Sequence, residues 1–244
     1  MLTMKIKIMF GLKINDLNMC SIMDIIKKYN CFSYIVTPNV QHIVELNKND
    51  YYSSCYKQAS LTLCDSRIVQ LISILLGDKI KNVVPGSDLT RYMFESFTGS
   101  ERIMVVGPSI DDIEKLREIY SLKCLYHYQP PMGFINKKNE IEKTIEAVLE
   151  VKPRYLFLAV GFPRQEILAY ILKERSDFTC VAFCIGASID FITGKQNRAP
   201  LYWQKWRLEW LYRFIHDPRR LFRRYFIDTW SLVPLIISEF RKNE

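Results

Sequence analysis

Three arginines near the end of the chain share one face of a predicted helix. Asp217 and Pro218 are typical of an N-cap and a first helical position, so they predict a helix start. Arg223 and Arg224 follow Arg220 by three and four residues, which places all three on one side of that helix. Guanidinium groups bind phosphate oxygens through paired hydrogen bonds. This face is therefore suited to closing over a pyrophosphate.

The elements that would position such chemistry alternate along most of the chain. Short apolar runs rich in Val, Ile, Tyr or Phe precede turn residues and then a helical stretch. The predicted strands cover residues 33–37, 60–64, 102–106, 155–160 and 180–185. The predicted helices cover residues 40–49, 67–76, 138–151 and 164–174, and a fifth helix, N-capped by Ser109 with Asp112 three residues on, runs through Tyr120. This alternation predicts an α/β fold, a Rossmann-like parallel sheet with helices on both faces.

Polar residues follow these strands at the points where open α/β sheets bind ligands, beyond the carboxyl ends. The residues placed there are Thr37, Asn39, Asp65, Gly107, Gly161, Arg164, Gln165, Glu166, Gly186 and Asp190. They predict a ligand crevice along one edge of the sheet. The chain contains neither GxGxxG nor GxxxxGK followed by Ser or Thr. Neither the dinucleotide fingerprint nor the P-loop therefore supports a more specific assignment.

Positive charge and aromatic residues are concentrated at the C-terminal end. The 244 residues carry a formal net charge of +8, and residues 195–244 hold eleven Lys or Arg against five Asp or Glu. Four aromatic side chains recur at helical spacing and so share one helix face: Trp203, Trp206, Trp210 and Phe214. This spacing favours a face that packs against the rest of the protein over a ligand-binding site. The basic surface suits anionic lipid, a phosphorylated ligand or nucleic acid, or it is a solvated helix face. We therefore predict an α/β domain over residues 1–194 and a helical, basic and aromatic appendage over residues 195–244.

Other features of the composition indicate the cytoplasm. No apolar run approaches the roughly 20 residues of a transmembrane helix, and the first residues lack the continuous apolar region of a secretion signal. The seven cysteines show no paired metal-ligand spacing. We therefore expect neither disulfides nor zinc.

Several segments together resemble one enzyme family. They are TPNVQHIVEL, LTLCDSRIVQLISILLG, VVPGSDL, VGFPRQE and IGASIDFITGKQNRAPLYWQKWRLEWLYRFIHDPRRLFRRY. Their order makes nearly the whole chain similar to the WecG/TagA/CpsF glycosyltransferases, glycosyltransferase family 26. The resemblance implies an inverting, metal-independent enzyme of surface polysaccharide assembly. Such an enzyme moves a sugar from a UDP-sugar donor to a polyprenyl-diphosphate-linked saccharide.

The resemblance also implies catalytic roles. Asp65 matches the family's base, which would take the proton of the acceptor hydroxyl. A helix N-cap is the alternative for an Asp at a strand-to-helix turn. Arg213, Arg220 and Arg223 match C-terminal arginines that would stabilise the leaving diphosphate, with Arg224 beside them. The sequence contains no Asp-x-Asp pair to hold a divalent cation, and we expect no cofactor.

The remaining candidates are substrate-binding residues, each with an alternative. They are Thr37, Asn39, Gly161, Arg164, Gln165, Gly186, Asp190 and Arg224. Thr37 and Asn39 match a Thr-x-Asn turn, for which ordinary turn chemistry is the alternative. Gln165 would offer its amide to the donor's sugar or base, whereas Arg164 would either reach phosphate or face solvent. Asp190 would orient a substrate hydroxyl or the Arg-Ala-Pro loop that follows it.

The chain departs from the family pattern at two places, of which the first has little consequence and the second affects the choice of substrate. Many relatives have Asp-Gly where Asp65-Ser66 stands, and many have a basic residue shortly before Gly86, where Val83 and Val84 stand. The second departure removes a phosphate contact. The donor sugar therefore stays open at this stage.

The implied acceptor lies in the bilayer, so we expect a peripheral protein on the inner face of the cell membrane. The basic and aromatic tail would contact the lipid head groups. We expect no nucleic-acid partner, and the sequence is compatible with a homo-oligomer. Two alternatives come from other classes: a nucleic-acid-binding module that uses the tail, and an NAD-dependent oxidoreductase that lacks the glycine fingerprint.

Overall fold

The computed structural model describes residues 5–196, 215 and 230–242. It begins with an antiparallel hairpin of β1 (Ile6–Met9) and β2 (Leu12–Asn15). Phe10 and Gly11 join the strands with φ angles of 53° and 74°, and positive φ at both positions is typical of a type I′ hairpin turn. The sequence pattern does not predict this hairpin, because Phe10 stands where Asn or Asp would give the usual signal.

Six further strands form one parallel sheet. They are β3 (Ser33–Val36), β4 (Leu61–Thr62), β5 (Ile103–Val106), β6 (Leu125–Tyr128), β7 (Tyr155–Leu158) and β8 (Val181–Cys184). Their order is β4-β3-β8-β7-β5-β6. All five predicted strands are present, each shorter than predicted by one to three residues. The α/β fold with a Rossmann-like parallel sheet is confirmed.

Helices cover the sheet. They are α1 (Met19–Lys28), α2 (Val40–Leu46), α3 (Asp50–Lys57), α4 (Arg67–Leu75), α5 (Gly86–Ser96), α6 (Ile110–Tyr120), α7 (Lys138–Val151), α8 (Arg164–Arg175), α9 (Ser188–Ile192) and α10 (Leu232–Lys242), with a 3-10 turn at Phe134–Asn136. The five predicted helices correspond to α2, α4, α6, α7 and α8. Four further helices, α1, α3, α5 and α9, were not predicted from the sequence.

Both faces of the sheet are buried, as is typical of parallel sheets. Side chains alternate between the faces, because successive residues of a strand point to opposite sides. Tyr34 and Val36 belong to one apolar cluster, whereas Ile35 belongs to the other. The same alternation separates Leu156 from Phe157 on the neighbouring part of the sheet. The apolar runs of the sequence are therefore buried in two hydrophobic clusters, one on each face of the sheet. The polar residues lie at the ends of the strands.

Ser109 occupies the N-cap position of α6, as predicted, but its hydroxyl makes no capping hydrogen bond. It donates instead to Asp112 Oδ2 at 2.5 Å. The buried Asp112 carboxylate also accepts from Thr193 Oγ1 at 3.1 Å and from Lys195 Nζ at 3.0 Å. This carboxylate therefore ties the start of α6 to the residues that follow α9.

The predicted C-terminal appendage is described only in part. Residues 197–214 and 216–229 lie outside the described residues, and they include Arg213, Arg220, Arg223 and Arg224. The last helix, α10, contacts α2. Its Glu239 Oε1 accepts a buried hydrogen bond of 3.1 Å from the backbone N–H of Phe10. Within the described part of the chain, no helix is long and apolar enough to span a membrane.

Candidate active site at the carboxyl edge of the sheet

Asp65 lies in the loop between β4 and α4, and it reaches across to another helix. Its Oδ1 accepts a hydrogen bond of 2.9 Å from the backbone N–H of Gly86, the first residue of α5. The N-cap of α4 is Ser66, whose hydroxyl accepts from the backbone N–H of Val69 at 3.5 Å. The alternative of Asp65 as the N-cap of α4 is therefore wrong, and its carboxylate serves the start of α5 instead.

Gly86 brings Thr37 to the same place. A Cβ on Gly86 would lie 3.0 Å from Thr37 Oγ1 and 3.8 Å from Ser188 Oγ. Such a close approach tolerates no larger side chain without a shift of its neighbours. Thr37, Asp65 and Ser188 therefore surround the beginning of α5. The sequence analysis treated Gly86 only as a family landmark, and nothing local to the sequence indicates its contact with Thr37.

Asn39 follows β3 and caps α2. Its Oδ1 accepts from the backbone N–H groups of Gln41 at 3.0 Å and His42 at 3.4 Å. This is the helix-capping chemistry typical of Asn at a strand-to-helix turn. The structure thus shows the alternative that the sequence left open, and a contact between Asn39 and substrate stays a prediction.

Gln165 and Glu166 form a buried polar network behind the edge of the sheet. Gln165 Oε1 accepts from the backbone N–H of Gly186 at 2.9 Å, and Gln165 Nε2 donates to Glu166 Oε1 at 2.9 Å. Tyr56 OH donates to the same Oε1 at 3.2 Å. Burial raises the pKa of Glu166 to about 7, although these hydrogen bonds oppose the rise. From the sequence, Glu166 was placed at the strand ends but was not a substrate-binding candidate, and its burial is a tertiary property that no local pattern reveals.

Gly161 and Arg164 belong to the turn after β7. Gly161 adopts a φ of +74°, which glycine accommodates without strain in the tight turn after β7. A Cβ at Gly161 would lie 3.1 Å from Arg164 Nη2. The guanidinium therefore folds back over the turn at the start of α8. Phosphate binding by Arg164 stays a prediction.

Gly186 lies in the corresponding turn after β8, and Asp190 lies in α9, the helix that follows it. Gly186 also has a positive φ, +54°. Asp190 Oδ2 accepts from Gln196 Nε2 at 3.1 Å, and its backbone carbonyl accepts from the N–H of Gln196 at 3.0 Å. Asp190 therefore holds the residues that lead into the Arg-Ala-Pro segment, which favours its predicted role in orienting that loop, and a contact with a substrate hydroxyl stays a prediction.

The structure brings together some of the predicted residues and leaves others undescribed. Thr37 and Asp65 meet at Gly86, and Gln165 meets Gly186. The predicted arginines Arg213, Arg220, Arg223 and Arg224 lie outside the described residues, so their approach to Asp65 stays a prediction. Among the described residues, no group of three or more His, Cys, Asp or Glu side chains is arranged to hold a metal ion.

The fold is that of an α/β protein whose polar residues gather at the carboxyl ends of parallel strands, where proteins of this class bind ligands. Residues 6–244 match the family model described as the glycosyl transferase WecG/TagA/CpsF family. The chain belongs to this family and is a glycosyltransferase. This membership favours glycosyl transfer over the nucleic-acid-binding and oxidoreductase alternatives.

Two relatives carry the same descriptive name, N-acetylglucosaminyldiphosphoundecaprenol N-acetyl-beta-D-mannosaminyltransferase. The protein from Bacillus spizizenii is 28% identical over 194 residues, which cover 77% of this chain and 73% of the relative. A protein from Staphylococcus aureus is 26% identical over 196 residues, which cover 78% of this chain and 74% of the relative.

Proposed function

We propose that this protein transfers N-acetylmannosamine from its UDP derivative to an N-acetylglucosaminyl-diphosphate carried on a polyprenyl lipid, with inversion at the anomeric carbon. The observation that carries the proposal is the meeting of Asp65 and Thr37 at Gly86, on the edge of the sheet where this fold binds ligands. The names of the two relatives support the choice of sugar and acceptor.

Asp65 is the base of the proposed reaction. The acceptor hydroxyl oxygen attacks the anomeric carbon as the bond from that carbon to the diphosphate oxygen breaks, and the hydroxyl proton passes to the Asp65 carboxylate. The bond electrons leave with UDP. Because Asp65 Oδ1 already accepts the N–H of Gly86, the carboxylate is held in one orientation before the acceptor arrives.

Guanidinium groups stabilise the departing UDP in this proposal. Arg213, Arg220 and Arg223, with Arg224 beside them, donate paired hydrogen bonds to the diphosphate oxygens. They take the place of a divalent cation, and the sequence contains no Asp-x-Asp pair that would hold one on the donor.

The donor sugar and nucleotide are held by the turns that follow β3, β7 and β8. These turns and the first residues of the helices that follow them carry Thr37 and Asn39, then Gly161, Arg164 and Gln165, and then Gly186 and Asp190. The hydroxyl of Thr37 lies beside the start of α5. Sugar hydroxyls bound at this point would lie next to the Asp65 carboxylate.

The lipid acceptor requires contact with the cytoplasmic leaflet. Residues 195–244 carry eleven Lys or Arg and all four tryptophans. Each Lys or Arg near an anionic lipid surface contributes about 1 kcal/mol, and tryptophan favours the interface. We propose that this segment attaches the protein peripherally to the inner face of the membrane.

A transfer assay tests the proposed function. Purified protein would receive UDP-N-acetylmannosamine and a short-chain lipid diphosphate that bears N-acetylglucosamine, with and without EDTA. We expect a disaccharide product that NMR shows to be the β-anomer, formed at the same rate with chelator. A product of retained configuration, or no product from any UDP-sugar, would contradict the proposal.

A further inference from the structure

Among the residues that the structure describes, Glu166 is the most deeply buried carboxylate close to the candidate site. Its side chain is 2% exposed at the start of α8. Oε1 accepts from Gln165 Nε2 and from Tyr56 OH, whereas Oε2 is buried without a hydrogen-bond partner among the described residues. A buried carboxylate that keeps an unsatisfied oxygen is costly. The presence of a carboxylate at this position therefore indicates a role that an apolar side chain would not fill.

Glu166 orients the side-chain amide of Gln165, together with the backbone N–H of Gly186. A glutamine amide has one end that accepts hydrogen bonds and one end that donates them. The backbone N–H of Gly186 only donates, and an ionised Glu166 only accepts. These two groups therefore point Gln165 Oε1 at Gly186 and Gln165 Nε2 at Glu166.

The same contacts connect Glu166 to the candidate active site. Gly186 begins the turn that leads into α9, and Ser188 is the first residue of that helix. Ser188 Oγ lies 3.8 Å from the position of a Cβ on Gly86, beside Thr37. Movement of the Gln165 amide would therefore displace the turn that borders Thr37 and the partner of Asp65.

We propose that Glu166 is a positioning residue, which fixes the amide of Gln165 and, through it, the Gly186 turn that borders the donor site. The inference rests on the proposed function, because it places Gln165 and Gly186 beside the donor. Glu166 touches no substrate in this arrangement. It acts through the orientation of Gln165.

The charge of Glu166 changes in an environment that is otherwise neutral. Four titratable groups face Glu166 from the neighbouring elements. They are Cys55 and Tyr56 on α3, Tyr34 on β3 and Cys184 on β8. Burial raises the pKa of each of these groups, that of Cys55 to about 12, so all stay protonated near pH 7. Beyond Tyr56 lie His42, whose Nδ1 is 3.0 Å from Tyr56 OH, and Asp65. Glu166 is thus the group in direct contact with Gln165 whose charge changes near neutral pH.

Ionisation of Glu166 strengthens its hold on Gln165. A hydrogen bond to a carboxylate is about twice as strong as one to a neutral carbonyl group. Above its pKa Glu166 therefore holds Gln165 more firmly than below it. Glutamine at position 166 has the shape of the protonated acid, with one acceptor and one donor end. The Glu166→Gln variant should therefore behave at every pH as the wild type behaves when Glu166 is protonated.

The experiment compares wild type and Glu166→Gln by calorimetric binding of UDP-N-acetylmannosamine from pH 5.5 to 8.5. The ratio of the two affinities cancels the other pH effects. We expect a ratio near one at pH 5.5 and about five-fold tighter binding by the wild type at pH 8.5, the size expected for one strengthened hydrogen bond. A ratio that stays constant across this range would overturn the proposal.

Two further variants identify the titrating group. Tyr56→Phe removes a hydrogen bond that favours the ionised carboxylate, so the midpoint of the ratio should move to higher pH. In a His42→Gln background, the ratio of the donor affinities measured with Glu166 and with Gln at position 166 should still depend on pH. If the dependence vanishes with His42, the charge change belongs to the histidine and the proposal is wrong.

A measurement without donor separates this inference from the proposed function. The side-chain amide signal of Gln165, identified by its loss in Gln165→Leu, should titrate near pH 7 in the NMR spectrum of the wild type and not in Glu166→Gln. Absence of that titration overturns the positioning role. If the signal titrates and no nucleotide sugar binds at any pH, the positioning role stands and the proposed function fails.

Discussion

The carboxylate of Asp65 and the backbone N–H of Gly86 are joined by a hydrogen bond of 2.9 Å. This bond links the loop after β4 to the first residue of α5, a helix that has no side-chain cap of its own. Backbone N–H groups at a helix start favour negative charge. The proposed base is therefore positioned by the helix that also presses against Thr37.

Replacement of Asp65 by Asn should abolish catalysis without loss of the fold. The amide oxygen still accepts the N–H of Gly86, but the group no longer takes up a proton. We expect turnover to fall by at least about 100-fold, with donor affinity changed by less than about three-fold. Steady-state kinetics and calorimetry would measure the two effects.

The matched control is Asp177→Asn, which removes a carboxylate that is exposed and pairs with Lys152 far from the sheet edge. It should leave turnover unchanged. Retained turnover in Asp65→Asn would move the base to another group, of which Asp190 is the next candidate.

Gly86→Ala should damage the site more than it damages the fold. The added Cβ would lie 3.0 Å from Thr37 Oγ1, so Thr37 or α5 must shift by a few tenths of an ångström. We expect kcat/KM to fall by about ten-fold, because small displacements of positioned groups are costly in catalysis. The free energy of unfolding should change by less than about 1 kcal/mol, since Ala also favours the helix.

Glu95→Ala, on the exposed side of the same helix, tests whether any change in α5 has this effect. It should keep normal kinetics in the same transfer assay. Normal kinetics in Gly86→Ala as well would show that the approach of Gly86 to Thr37 is irrelevant to activity.

Asp112→Asn should destabilise the protein in a pH-dependent manner. Burial by itself raises the pKa of Asp112, but hydrogen bonds from Ser109, Lys195 and Thr193 outweigh it, so the pKa lies below the ordinary value of 3.8. A lowered carboxyl pKa contributes stability that is present above the unfolded value and is lost as the pH falls through the folded value. We expect a loss of about 1–3 kcal/mol at pH 7.

Urea unfolding at pH 7, 5 and 3 would check this prediction. The difference between wild type and Asp112→Asn should persist at pH 5 and shrink at pH 3. A difference that is equal at all three values would show that the ionised carboxylate contributes nothing.

Arg220→Lys should reduce turnover even though the charge is kept. A lysine ammonium is a point charge, whereas the guanidinium donates two parallel hydrogen bonds to a diphosphate. We expect kcat to fall by about ten-fold or more, because the lost interaction forms with the leaving group. Arg241→Lys in the exposed part of α10 is the control. Equal kinetics for both variants would contradict the assignment.

Binding to lipid vesicles should depend on anionic head groups and on salt. We expect the protein to float with vesicles that contain about one third phosphatidylglycerol at low ionic strength, and to be released as salt screens the charges. Vesicles of phosphatidylcholine alone are the control. No flotation with the anionic vesicles would contradict the peripheral attachment.

Local sequence was sufficient to predict the strands that are buried on both faces of the sheet. The runs that became β3, β5, β7 and β8 are apolar on both faces, so their composition alone predicted central parallel strands. It was insufficient for β6, which lies at the edge of the sheet and keeps half-exposed residues such as Tyr128. It was also insufficient for the hairpin, where Phe10 replaces the usual turn residue.

The sequence by itself determined the parallel α/β fold, the family and the set of polar residues at the strand ends, because these depend on residue order along the chain. Only the tertiary structure decided which of these side chains meet. The contacts of Gly86 with Asp65 and Thr37 and the buried pair of Gln165 and Glu166 arise from packing between distant segments. Burial and hydrogen-bond direction depend on all the neighbours at once, so no local pattern encodes them.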